Sequence, residues 1–191
     1  MITKTLAVCI IFLMFAHTLF AQSTSDKPMD HSKMDHSAHT KVIADAERQA
    51  EVAQRSKDVM PFSLAATTHI FSKRTDGGIQ QVIAKKSRDE SQVILVRQHL
   101  QQIREKFLRG DFSGPSQIHG QSMPGLAELV NAKPGQITFA YKDVSGGAAL
   151  VYKTSEPTLV SALHKWFDAQ LADHGKDAKE DHHHRGDMKL P

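Results

Sequence analysis

The chain contains one cysteine, Cys9, and it falls inside the apolar stretch near the amino terminus. If that stretch is cleaved away, no disulfide, thiolate metal site or cysteine nucleophile remains, and stability must come from an ordinary hydrophobic core. Aromatic residues are only 6% of the chain, with a single tryptophan, Trp166, and they do not interleave with clustered arginines as a nucleic-acid-binding face requires. Charge of one sign is also scarce: the formal net charge is +3, too small and too dispersed to hold a polyanion. Nucleic acid is therefore not an expected partner. The chain has no Gly-x-Ser-x-Gly elbow, no His-Glu-x-x-His helix and no Walker loop, so hydrolytic or transferase chemistry has no support from spacing. Long apolar runs are missing too. The longest, Leu6 to Ala16, is well short of the ~20 residues that span a bilayer as a helix.

What that run does fit is a secretory signal. Lys4 precedes it, and Leu19-Phe20-Ala21 closes it before the polar Gln22-Ser23-Thr24-Ser25, which predicts cleavage after Ala21 and a secreted, periplasmic product without a membrane anchor. About 170 residues follow, enough for one domain with its own core. Histidine is the unusual component: the chain has 12, and only His17 lies in the leader.

Residues 22–40 are Ser, Asp, His, Met and Lys with almost nothing to bury, and such a segment cannot offset its ordering entropy, so a disordered tail is expected. Lys41 to about Val59 reads as a helix, with Val42, Ala46, Ala50 and Ala53 on one side. Two hydrophobic runs, Leu64 to Lys73 and Ile79 to Lys85, flank Arg74-Thr75-Asp76-Gly77-Gly78 and predict a β-hairpin whose glycines supply positive φ. Ser91 to Leu108 has Val93, Val96, Leu100, Ile103 and Phe107 at helical spacing, with Gly110 as a stop. The order then recurs: a strand from Gln136 to Asp143, the turn Ser145-Gly146-Gly147, a strand from Ala148 to Thr154 and a helix from Glu156 to Asp173, with Pro157 in its first turn. Two strand-strand-helix units predict an α+β domain over 41–174, a four-stranded antiparallel sheet with helices on one face. Residues 175–191, which include His182-His183-His184, read as a second disordered tail.

The most specific chemical signal is the tandem Met29-Asp30-His31-Ser32 and Met34-Asp35-His36-Ser37, followed by His39. Thioethers favour Cu(I) and imidazoles suit Cu(II), zinc and nickel, so a segment that offers both can hold copper in either oxidation state. In the folded part His69 shares a strand face with Phe71, while His99 and His164 border the apolar stripes of their helices; His174 follows the last helix. A long connection from Gly110 to Gly125 places His119 four residues before Met123, with Asp111 nearby, a second mixed sulfur and nitrogen set in a loop of a length that is often functional and is otherwise a surface connection punctuated by Gly and Pro. The candidate metal ligands are thus Met29, His31, Met34, His36, His39, His69, His99, His119, Met123 and His164.

The Met-Asp-His-Ser pattern resembles the methionine- and histidine-rich segments of periplasmic copper-resistance proteins, over about a dozen residues. Thr67-Thr68-His69-Ile70-Phe71, Gly77-Gly78, Gly110-Asp111-Phe112 and Ile118-His119-Gly120 resemble an uncharacterised family of small exported proteobacterial proteins whose members carry the name aspartate carbamoyltransferase. That resemblance spans most of 59–174. The residues do not support the enzyme's name: Ser72-Lys73-Arg74-Thr75 looks like its phosphate loop, but the expected hairpin puts it at a strand end and not at a helix N-terminus whose amides could hold phosphate. The chain is also short for such an enzyme, and cytoplasmic chemistry needs no signal peptide.

These observations lead to a non-catalytic periplasmic metal-binding protein, copper-handling, that passes its ion to another periplasmic metal-handling protein. Zinc is an alternative ion. A small-ligand or haem-binding module, with one of the domain histidines as contact or axial ligand, is the alternative function.

Overall fold

The computed structural model describes residues 36–86 and 88–181. Its elements are α1 (His36–Val59), β1 (Thr67–Arg74), β2 (Gly77–Ala84), α2 (Glu90–Leu108), α3 (Ser113–His119), α4 (Leu126–Val130), β3 (Thr138–Val144), β4 (Gly147–Lys153), α5 (Pro157–His174) and β5 (Ala178–Glu180). The α+β class is as expected, but the sheet is mixed and five-stranded, in the order β3-β4-β2-β1-β5. The expected four antiparallel strands form its body, with β2 and β4 side by side at the centre. The addition is β5, which runs parallel to β1 with Ala178 opposite His69. It lies where a disordered tail is expected, because Asp177-Ala178-Lys179-Glu180 shows no apolar alternation; the strand is held by backbone pairing and by the Lys85–Asp177 ion pair.

Three boundaries also shift. The first helix begins at His36, five residues before its expected start. Leu64–Ala66 is a 3-10 turn, so β1 begins only at Thr67. The connection from Gly110 to Gly125 is not an open loop, since α3 occupies its centre. Ser113-Gly114-Pro115-Ser116 reads as punctuation in one dimension. In three, Pro115 sits within the first turn of α3, where a missing N–H costs nothing, and bare Gly114 faces Val59 and Ile103.

The two Gly-Gly pairs serve backbone conformation and close packing, and Gly77 serves both, since a Cβ on it would stand 2.1 Å from the Tyr152 carbonyl oxygen. Gly77 and Gly146 take positive φ, +135° and +75°, which glycine adopts without a steric penalty. Gly78 and Gly147 serve close packing: a Cβ on Gly78 would stand 2.4 Å from the Phe167 ring, and one on Gly147 would stand 1.9 Å from the Val82 carbonyl oxygen.

Helices α2 and α5 lie on one face of the sheet, since the fully buried Tyr152 of β4 contacts Phe107 of α2 and Trp166 of α5. Phe71, Phe112, Phe139 and Phe167 complete an aromatic core, and such rings carry most of the buried apolar area per residue. α1 packs against α5 and α3 and adds its fully buried Val52 to the core. No helix among the described residues is long and apolar enough to cross a membrane.

Candidate functional site

A cavity of about 50 Å³ lies between the sheet and the helices, beside the aromatic core, large enough for a few water molecules or an ion with its ligands. Each wall brings chemistry from a separate part of the sequence. The end of α1 contributes Val59, and Met60 and Phe62 follow it. β1 contributes His69, which points inward with Thr67 and Phe71 by strand alternation. α2 contributes His99, Ile103 and Phe107, four residues apart along one helical stripe. α3 contributes His119, and Gly120 at φ +84° ends that helix directly behind it. α5 contributes Trp166, Gln170 and His174, again in steps of four.

Four imidazoles therefore face one space. The His69 and His174 rings are stacked, with centroids 4.6 Å apart and planes at 16°. His119 meets His174 edge-on at 5.0 Å, and His99 packs edge-on against Phe62 at 5.5 Å. The polar balance is unusual: four buried polar atoms of the described residues have no hydrogen-bond partner, namely His69 Nδ1, His174 Nδ1, Gln170 Nε2 and Trp166 Nε1. All four residues line this cavity. Buried polar groups are nearly always satisfied, and an unsatisfied one costs about 1–3 kcal/mol, so such a concentration marks a place where a ligand or ordered water belongs.

Burial keeps His69, His99 and His174 neutral. Burial, reinforced by His119 and His99, pushes His69 down to about 3 against a small opposing effect of Asp177. Burial and then Lys106 push His99 down to about 4. His174 is held well below the ordinary histidine range by burial and by its neighbours His69 and His119. A neutral imidazole has one nitrogen with a free lone pair, which is the metal-binding form.

His119 differs from the others in having a built support. Its Nδ1 is 2.8 Å from Oδ2 of Asp173, so in the neutral ring Nδ1–H donates to the carboxylate and Nε2 is left with its lone pair. Asp173 is gripped in turn by Arg48 of α1: Nε donates to Oδ1 at 2.9 Å and Nη2 to Oδ2 at 2.8 Å, while Nη2 also donates to the His119 carbonyl at 2.6 Å. Burial alone would raise the Asp173 carboxyl, but hydrogen bonds from His119 and Arg48 outweigh it and hold the group below its usual value.

The sequence candidates are distributed unevenly around this site. His69, His99 and His119 line the cavity. His164 lies away from it, where its Nε2–H donates to the carbonyls of Arg74 and Gly77, both at 3.0 Å, and secures the first hairpin. Met123 is buried in the core and is not part of the lining. Asp111 accepts from the Ser113 amide and starts α3. Met29, His31 and Met34 lie outside the described residues, as do His182, His183 and His184; His36 and His39 belong to the first turn of α1, and their side chains are not described. Ser72-Lys73-Arg74-Thr75 ends β1 and enters the hairpin, with Lys73 paired to Asp168 and Glu180.

Sequence reasoning missed Met60, Gln170 and Trp166 as lining residues and left His174 without a role. The step of four from Trp166 through Gln170 to His174 was the available signal. Among the described residues, no three His, Cys, Asp or Glu side chains already stand in a coordinating arrangement; two stacked rings have lone pairs in parallel planes, so one must turn before both can face the same atom. No family model, curated protein or solved structure matches this chain.

Proposed function

We propose that this chain is an exported, periplasmic metal-handling protein that takes a copper ion into the histidine-lined cavity. The observation that carries this reading is the gathering of unpartnered buried polar atoms, two of them imidazole nitrogens, around a single small space. Neutral imidazoles next to a thioether suit copper in either oxidation state better than they suit hard cations such as magnesium or calcium. The lining includes no serine, threonine or cysteine, so the His119–Asp173 pair has no side-chain hydroxyl or thiol to activate there, which favours binding over covalent catalysis. Size also bears on the alternative: a haem is far larger than this cavity, and its entry would displace α1 or α3. In this reading the Met29 to His39 segment collects the ion and the domain retains it until a second metal-handling protein receives it.

Titration calorimetry with Cu(I) and Cu(II) tests the proposal on two forms of the cleaved chain. The first is unaltered. The second silences the amino-terminal segment with Met29→Ser, His31→Ser, Met34→Ser, His36→Ala and His39→Ala, and the carboxy-terminal histidines with His182→Ser, His183→Ser and His184→Ser. One equivalent of copper retained by the silenced chain supports the cavity. A silenced chain that takes up none removes it.

A further inference from the structure

We infer that the cavity is a Cu(I) site built from His119, His174 and Met60, with Asp173 and Arg48 as positioning residues that fix the His119 ring. This inference rests on the metal-handling reading above and specifies its ligands and oxidation state.

Three observations lead to it. The rings of His119 and His174 stand at 84° to each other, 5.0 Å between centroids, and crossed rings can direct in-plane lone pairs to a common point. The parallel pair His69 and His174 cannot do so without rotation. Met60 lines the same space and is 8% exposed; a thioether within a buried, imidazole-lined pocket is a soft donor, which favours Cu(I) over Zn(II) and over Cu(II). Finally, the carboxylate behind His119 matches the usual second layer of metal-bound histidines, in which the ring nitrogen not bound to metal donates to a carboxylate and thereby fixes tautomer and orientation. Arg48 fastens that carboxylate with both oxygens engaged, and also holds the backbone carbonyl of His119 itself.

His69 then has a separate role. Stacked on His174, it shields the ion from the sheet side, and its unpartnered Nδ1 remains for a bound water.

The test uses the silenced, cleaved chain loaded anaerobically with Cu(I), its affinity measured by competition with a chromogenic chelator and its ligands by X-ray absorption. One copper with a sulfur scatterer is expected. Met60→Leu, nearly isosteric, should abolish the sulfur signal and weaken binding, while Met123→Leu should change neither. Asp173→Asn should weaken binding about 10–100-fold yet keep the sulfur signal, a combination that general loosening of the fold does not produce. If the silenced chain binds Cu(I) but Met60→Leu leaves both affinity and sulfur scattering intact, this ligand set is overturned and the broader reading survives. If it binds Cu(II) and not Cu(I), the oxidation state is wrong. If it binds neither, the metal-handling reading itself fails.

Discussion

Arg48 on the first helix holds both carboxylate oxygens of Asp173, 125 residues later in the chain, at 2.9 and 2.8 Å. The contact fastens α1 to the end of α5. The guanidinium is about one-third exposed and the carboxylate is mostly buried, so the pair lies between the weak surface class and the costly buried class of ion pair. Arg48→Met keeps the aliphatic stem but leaves Asp173 with only His119 as partner. A stability loss of about 1–3 kcal/mol is expected, read as a lower urea midpoint with an unchanged slope. An unaltered midpoint would show that α1 is held without this ion pair.

The cavity histidines make stability depend on pH above the carboxylate range. His69 sits among His99, His119 and His174, with Asp177 as the opposing carboxylate and Asp173 engaged by His119. Its folded value is about 3 against an ordinary 6.5. The unfolded chain therefore takes up protons first as pH falls. The stabilising contribution is complete above about pH 6.5 and is lost progressively toward pH 3, at about 1.4 kcal/mol per pH unit per histidine. His99, with a folded value of about 4, adds to the slope over most of that window. Urea unfolding of metal-free protein at pH 7.5, 6 and 5 should show falling stability, and equal midpoints at all three would contradict neutral burial.

Gln170 separates stability from binding. Its Nε2 is buried without a partner, so Gln170→Leu removes an unsatisfied amide at nearly constant volume, a change that is neutral or stabilising when the polar group had no partner. The melting temperature of the metal-free variant should hold or rise. A drop of several degrees would mean that the amide is satisfied by ordered water.

Adjacent glycines in the second turn should respond differently to alanine. At Gly146 a Cβ meets nothing within 4 Å, but φ is +75°, which implies a cost of about 1–2 kcal/mol from backbone conformation. At Gly147 the Cβ would stand 1.9 Å from the Val82 carbonyl oxygen in the paired strand, and since backbone yields little there the cost should lie at the upper end of overpacking, about 3 kcal/mol. Thermal unfolding of Gly146→Ala and Gly147→Ala ranks them, and the reverse order would exclude this packing account.

Local signals carried most of the fold. The periodicity of Val96, Leu100, Ile103 and Phe107, the alternation about His69 and Phe71, and the two Gly-Gly turns place four strands and three long helices to within a few residues. β5 was illegible because a three-residue edge strand is held by backbone partners, which have no side-chain signature. α3 was hidden by Ser-Gly-Pro-Ser, which local rules read as loop. The candidate site was legible as a set of histidines but not as a geometry. His99 and His164 occupy comparable places in their helices, yet one lines the cavity and the other braces a hairpin. His119 meets Asp173 across 54 positions, a pairing that no local pattern announces, and the cavity-facing stripe of α5 extends one residue past the expected end of that helix.

The short strand β5 has an influence beyond its length. By lying alongside β1 at His69, only four residues after His174, it sets the chain path that returns from the last helix, and with it the gap between two imidazole planes. A chain cut before Ala178 would keep its greasy interior and lose its tuning: the first symptom would be a change in how those two rings sit, well before any loss of the sheet itself.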